Sequence, residues 1–192
     1  MEECLATPGL VEAEQLFGRP EWRTYVLPPG WGDADAFWDM WKSRLAEVVL
    51  VLRRPDGRLI LQSKRFYPAG AYRLPTGGIR PGEELTLAVR RETLEETGLA
   101  AEISRFLGVL CYRFQRRGEP MERASYVFLL EVGPGPLVPQ DEAEQITAFR
   151  EVLPSQLPAV ARQLEALPGD WAIWGRFRAL GHWFVAESMP DA

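Results

Sequence analysis

Between Gly77 and Leu99 the chain runs Gly-Gly-Ile-Arg-Pro-Gly-Glu-Glu-Leu-Thr-Leu-Ala-Val-Arg-Arg-Glu-Thr-Leu-Glu-Glu-Thr-Gly-Leu, and no other stretch restricts the fold as strongly. Gly77, Gly78, Pro81 and Gly82 make a tight loop. Such a loop can bring a backbone carbonyl close to a metal or a phosphate. The residues that follow read as a helix over about Glu84–Thr97, with Gly98 as its C-terminal stop. At about 100° per residue, Leu85, Ala88 and Val89 lie on the same stripe as Glu92, Glu95 and Glu96. An ordinary surface helix puts its acids opposite its apolar stripe. Here the apolar face continues as a row of carboxylates. Leu87 and Leu94 form a second apolar strip on the far side, so the helix is expected to pack there too.

Three carboxylates at i, i+3 and i+4 repel one another. Each like-charge pair on an isolated helix costs about 0.2–0.5 kcal/mol, and burial raises that. Two readings follow. The glutamates are an exposed acidic patch, or a hard divalent cation such as Mg²⁺, which prefers oxygen ligands, removes the repulsion.

The flanking sequence supplies a sheet. Glu47–Arg53 and Arg58–Lys64 are strand-like and flank the turn Pro55-Asp56-Gly57. A short strand is expected near Ala71–Leu74. Further strands fall within Ala101–Gln115 and Ala124–Val132, separated by Arg116-Arg117-Gly118, and a last one lies near Ile146–Val152. Two helices, about Pro154–Ala166 and Asp170–Glu187, close the chain, the second with a stripe of Trp174, Phe177, Leu180, Gly181 and Phe184 at helical spacing. Ahead of the sheet, Met1 to about Lys42 reads as an extended arm followed by a helix near Asp33–Arg44. The middle is thus a mixed sheet with a helix inserted, and end helices that can cover a face.

Composition narrows the chemistry. With 27 Asp+Glu against 22 Lys+Arg, the net charge of −5 disfavours a broad grip on nucleic acid. Cys4 and Cys111 are the two cysteines, which makes neither a disulfide framework nor a zinc cluster. His182 is the single histidine, which excludes any site needing two imidazoles, and it is assigned no catalytic role. No apolar run reaches about 18 residues, so no membrane span is expected. The acidic start, Met1-Glu2-Glu3-Cys4, lacks an apolar signal core, so a cytoplasmic protein is expected.

The full pattern is Gly, five residues, Glu, seven residues, Arg-Glu, two residues, Glu-Glu, one residue, Gly and an apolar residue. It resembles the Nudix box of the Nudix hydrolase superfamily at every defined position but one, where Thr93 replaces the usual Ile, Leu or Val. The likeness extends over about Glu47–Leu153. It implies an α/β fold, an α/β/α sandwich around a mixed sheet. The arm would occupy 1–45, the hydrolase core 46–153, and helices packed on the core 154–192. It implies hydrolysis of a nucleoside diphosphate linked to another moiety, with Mg²⁺ or Mn²⁺ as cofactor. Carried over by position, Glu92, Glu95 and Glu96 resemble metal ligands, joined by the backbone carbonyl of Gly77. Arg91 and Glu83 resemble the ion pair that holds the loop against the helix.

Water attacking a charged pyrophosphate needs a base. Glu92 is one candidate. The loop Asp141-Glu142-Ala143-Glu144 resembles one that supplies a glutamate in several subfamilies, with Glu144 preferred over Glu142; a solvated turn is the plainer alternative. Lys64 and Arg65 resemble the basic strand end that meets the pyrophosphate in ADP-sugar enzymes, or are simply a charged strand end. The proline that many ADP-ribose hydrolases carry downstream of the box is replaced by Phe114. Trp22, Tyr25, Trp31, Trp38 and Trp41 could stack a base, although core or dimer contacts account for them more simply. A small nucleotide-type substrate, no nucleic acid polymer, no membrane and a homodimer are the expected partners. The competing reading is a Nudix-fold binding or regulatory module that has lost catalysis, against which the intact glutamates argue. An isopentenyl-diphosphate-isomerase type of site needs more histidine than this chain has.

Overall fold

The structure, a computed structural model, describes residues 7–35, 37–38 and 46–189. Cys4, Trp41 and most of the helix expected at Asp33–Arg44 lie outside the described residues. In chain order the elements are α1 (Leu10–Phe17), β1 (Glu21–Val26), β2 (Ala46–Arg53), β3 (Leu59–Lys64), β4 (Thr76–Gly78), α2 (Leu85–Thr97), β5 (Ala101–Arg116), β6 (Glu119–Val132), β7 (Ile146–Val152), α3 (Leu157–Glu165) and α4 (Trp171–Ser188).

Strand alternation builds two cores on one sheet. Ala46, Val48, Leu50 and Leu52 of β2 face one side with Tyr126, Phe128 and Leu130 of β6. Val49 and Val51 face the other with Val127 and Leu129. Strands buried on both faces read as continuous apolar runs, as β2 does. The first face is covered by Leu10 and Ala13 of α1 and by Leu85, Ala88 and Val89 of α2. The second is covered by Leu157, Val160, Ala161 and Leu164 of α3 and by Trp174, Phe177, Phe184 and Val185 of α4. The result is three layers, α/β/α. The sheet order is β1-β5-β6-β2-β3-β7, with β4 also on β2. It is mixed: β1 runs parallel to β5 and β6 parallel to β2, while the remaining pairs are antiparallel.

One local feature positions everything that follows. β2 and β3 pair in register at Arg53 and Leu59, next to their connecting turn, and then part. The segment 73–78 enters this fork. Arg73 bridges to Gln62 of β3, whereas Thr76, Gly77 and Gly78 pair with Val49, Val48 and Glu47 of β2. The strand expected at Ala71–Leu74 therefore reduces to the Arg73 bridge, and the paired segment begins later, at Thr76. Pro75, which has no N–H, sits where the chain changes partner.

Two further expectations are revised. The N-terminal arm is not merely extended: it contains α1, whose first turn begins at Gly9 without a side-chain cap. Leu87 and Leu94 are 57% and 51% exposed, so α2 does not pack on its far side among the described residues. Its buried stripe, from Leu85 to Thr97, faces the sheet and α1. No helix among the described residues is long and apolar enough to cross a membrane.

Candidate active site

α2 is fixed at both ends. At its start Leu85 N–H donates to Pro8 O at 2.9 Å; further along, the loop approaches so closely that a Cβ on Gly77 would stand 1.9 Å from Cδ of Glu92, which only glycine permits. At its end Gly98 takes φ 70°, and its N–H closes the last turn on the Leu94 carbonyl at 2.8 Å. The loop beyond β6 then satisfies carbonyls that a helix end leaves open. Gln140 N–H donates to Glu95 O at 2.8 Å and Val138 N–H to Thr97 O at 2.9 Å. This ties the acidic loop to the glutamate end of α2. Thr93, the one departure from the box, is buried; its hydroxyl donates to Val89 O at 2.7 Å, so the polar substitution leaves no unpaired donor.

Arg91 links loop and helix. Its Nε and Nη2 donate to the two oxygens of Glu83 at 2.6 and 2.8 Å, and Nη2 also to Gly78 O at 2.9 Å. Its Nη1 donates to Glu92 at 2.7 Å and to Glu95 at 2.9 Å. The bond from Arg91 holds the Glu83 carboxyl below its ordinary range. Glu95 also meets Arg80 at 3.3 Å.

Glu92 and Glu96 are buried beside the fork, at 4% and 0% exposure. Burial pushes Glu92 up to about 7 against the pull of Arg91, with Glu96 and Glu144 adding to the rise. Burial also raises Glu96, although Lys64, Arg73 and a hydrogen bond from Gln62 oppose it. Gln62 Nε2 donates to Glu96 Oε1 at 2.8 Å, and Lys64 Nζ lies 3.4 Å from the same oxygen. Lys64 is also paired with Glu144. Arg65 N–H bonds Gln145 O at 2.8 Å, which brings the acidic loop alongside the end of β3.

The candidates thus divide. Gly77, Glu92, Glu96, Lys64 and Glu144 gather at the fork, with Glu95, Arg91 and Glu83 on its rim. Glu142 and the Arg65 side chain are exposed, and no contact with Glu92 or Glu96 is formed by either among the described residues. Among the described residues, no three acidic, histidine or cysteine side chains are already closed around one point, because Arg80, Arg91 and Lys64 engage the carboxylates. The donor set nevertheless fits Mg²⁺ or Mn²⁺. It consists of hard oxygens. Glu96 Oε2 is buried with no hydrogen-bond partner among the described residues. The mutual repulsion of Glu92, Glu96 and Glu144 is the penalty a divalent cation removes.

Sequence reasoning missed a second polar group, on the α4 side of the same fork. Glu47 Oε1 accepts from Arg178 Nη1 at 2.7 Å and from Ser125 Oγ at 2.9 Å. Arg73 donates to Leu74 O at 2.7 Å and to Thr76 Oγ1 at 2.9 Å. His182 accepts from Leu74 N–H at 3.0 Å. Glu47, Arg73, Leu74, Thr76, Arg178 and His182 line a cavity of about 20 Å³, room for about one water. The available signal was Glu47, a charged residue directly before the apolar run Val48–Leu52.

The NUDIX domain profile matches residues 43–171. The ADP-ribose pyrophosphatase of Methanocaldococcus jannaschii is 29% identical over 178 residues, spanning 90% of this chain and 97% of that protein. Human diphosphoinositol polyphosphate phosphohydrolase 3-alpha is 36% identical over 91 residues, 47% of this chain and 51% of its own. A solved NUDIX hydrolase from Nitrosomonas europaea superposes with a TM-score of 0.49 at 18% identity, over 73% of this chain and 88% of that one.

Proposed function

The chain belongs to the NUDIX family, and from that premise we propose that it is a divalent-metal-dependent pyrophosphohydrolase of ADP-ribose or a similar nucleoside diphosphate linked to a second moiety. Hydrolysis of a pyrophosphate bond in a nucleotide derivative is the activity of the family and of this chain. The observation that carries the finer reading is the pair of buried glutamates, Glu92 packed against Gly77 and Glu96 with one oxygen unsatisfied. The near full-length likeness to an ADP-ribose pyrophosphatase supports the substrate class.

Glu92, Glu95, Glu96 and the Gly77 carbonyl would hold the cation, with Glu144 reaching them from its loop. A bound divalent cation neutralises phosphate oxygens and acidifies a ligated water. Arg91 keeps the loop carbonyls and the helix carboxylates in fixed relation. Lys64, now paired with Glu96 and Glu144, can turn its charge to a phosphate oxygen. Glu144 is the preferred proton acceptor, since it stands off the helix on a loop; Glu92 is the second choice, and Glu142, being exposed, the third. The water oxygen ends on one phosphorus, and the bridging oxygen leaves with the other. A homodimer is the proposed assembly, with exposed Val11 and Leu16 of α1 as its apolar contacts, which light scattering tests.

The test is a panel of ADP-ribose, sugar nucleotides, dinucleoside polyphosphates and nucleoside triphosphates with Mg²⁺ and with Mn²⁺. Turnover of ADP-ribose or a sugar nucleotide is expected. Silence across the panel would favour the alternative, a binding module whose carboxylates stay paired with Lys64, Arg80 and Arg91.

A further inference from the structure

The backbone at Leu74 and Pro75 has an unusual problem. Up to Arg73 the chain is bonded to β3: Arg73 N–H donates to Gln62 O at 3.0 Å, and Gln62 N–H returns the bond at 2.8 Å. From Thr76 it is bonded to β2. Between these points the Leu74 peptide groups belong to neither strand, and buried peptide groups must still find partners. Pro75 has no N–H, and its carbonyl accepts from Leu50 N–H at 2.9 Å. Leu74 O accepts from Arg73 Nη1 at 2.7 Å. The remaining group, Leu74 N–H, donates to His182 Nε2 at 3.0 Å.

His182 is itself fully specified. It is 2% exposed. Since Nε2 accepts, the proton resides on Nδ1, which donates to Arg178 O at 2.9 Å within α4. Arg178, one turn earlier on α4, grips Glu47, and Glu47 pairs with Gly78. α4 therefore holds the crossover at two points, three residues before Gly77 and directly beside Gly78. The tolerance at Gly77 is tight, given the 1.9 Å that separates a built Cβ from Glu92. Most of α4 lies beyond the segment 43–171 that matches the domain.

We propose that His182 is a positioning residue for the hydrolytic site: its neutral Nδ1–H ring sets the Leu74–Pro75 crossover and thereby the placement of Gly77 against Glu92. The inference rests on the reading of Gly77 and Glu92 as part of the metal site. It assigns a role across the sheet to a side chain that touches neither metal nor substrate.

The test compares His182→Gln, which keeps an acceptor at about the Nε2 position, with His182→Leu, which removes it. Mn²⁺ affinity by calorimetry, kcat and KM are measured well below each melting temperature. His182→Leu is expected to lose on the order of 10–100-fold in Mn²⁺ affinity and kcat, the range for residues that orient ligands. KM at saturating metal should stay within about threefold, and His182→Gln should recover most of the loss. Equal Mn²⁺ affinity and kcat in His182→Leu and the wild type overturn the proposal, as do equal losses in both variants, which mark a packing role. Should His182→Leu fail to fold, the wild type decides alone. With a single histidine, its long-range ¹H–¹⁵N spectrum at neutral pH must show an Nδ1–H tautomer; an Nε2–H tautomer refutes the contact. An inactive wild type that shows the expected tautomer overturns the hydrolase reading instead.

Discussion

Acidification provides a quantitative probe of the α4 contact. Burial pushes His182 down to about 4 from its ordinary 6.5; the bond to Arg178 O opposes this, and the charges of Arg73 and Arg178 add to it. Glu47 and Tyr112 also line the cavity that the ring faces. Above pH 6.5 the ring is neutral in both folded and unfolded chains, and its contribution is constant. Below 6.5 the unfolded chain takes up a proton that the folded one excludes, so stability falls until the folded ring protonates near 4. The gap between 6.5 and about 4 amounts to about 3 kcal/mol at roughly 1.4 kcal/mol per pH unit. Other groups work against this trend. Glu92 and Glu96 have raised values when folded, so their protonation stabilises the native state as pH falls. The histidine is isolated by difference. Urea unfolding of the wild type and His182→Gln at pH 7.5, 6, 5 and 4.5 should give a stability difference that shifts against the wild type by about 2–3 kcal/mol across the series. Parallel profiles would refute the assignment of a buried neutral ring bonded to Leu74.

Other perturbations follow from the same geometry. Glu96→Gln should lower metal-dependent turnover by on the order of a hundredfold or more while leaving the melting temperature unchanged or higher, because it removes a charge that burial disfavours; unchanged turnover sinks the metal-site assignment. Mn²⁺ at about 100 times its Kd should stabilise the wild type by about 2.7 kcal/mol and this variant far less, read by thermal shift. Gly77→Ala forces Glu92 away from the loop and should cost about 1–3 kcal/mol in urea unfolding together with most of the activity; a variant with wild-type kcat contradicts the close approach. Breaking the buried Glu47–Arg178 pair with Arg178→Met alone should cost about 3–5 kcal/mol, and adding Glu47→Leu should recover much of it; additive losses would show that the two side chains are not coupled.

The legibility of this chain followed the range of the interactions. The loop and helix over Gly77–Leu99 could be read because glycine stops, helical periodicity and like-charge crowding are local. The same holds for the turn at Pro55–Gly57 and the break at Arg117–Gly118, where both residues take positive φ, 49° and 84°. Strand order could not be read: β1 beside β5 and β2 beside β6 are parallel pairings that no short connection announces. α1 was invisible because Gly9 provides no side-chain cap. Leu87 and Leu94 misled because apolar residues at helical spacing suggest a partner, yet isolated exposed leucines are common on protein surfaces.

The polar residues inside the strands hold the deeper lesson. Along β3, Ile60, Gln62 and Lys64 share the face toward α2, whereas Leu59 and Leu61 face α3 and α4. In β2, Glu47 shares its face with Val49 and Val51. Period-two alternation thus assigns Gln62 and Lys64 to the glutamate side and Glu47 to the opposite side, before any partner is known. A polar side chain at a buried strand position demands a partner, and each of these finds one: Glu96 for Gln62, Glu144 and Glu96 for Lys64, Arg178 and Ser125 for Glu47. All three lie where β2 and β3 part, since splayed strands leave room between them for side chains and for the 73–78 segment. The fork is therefore the common cause of both polar groups. It admits the backbone that carries Gly77 to the glutamates, and it requires the far layer to supply partners, His182 for the Leu74 N–H that the missing strand neighbour would have bonded and Arg178 for the Glu47 carboxylate.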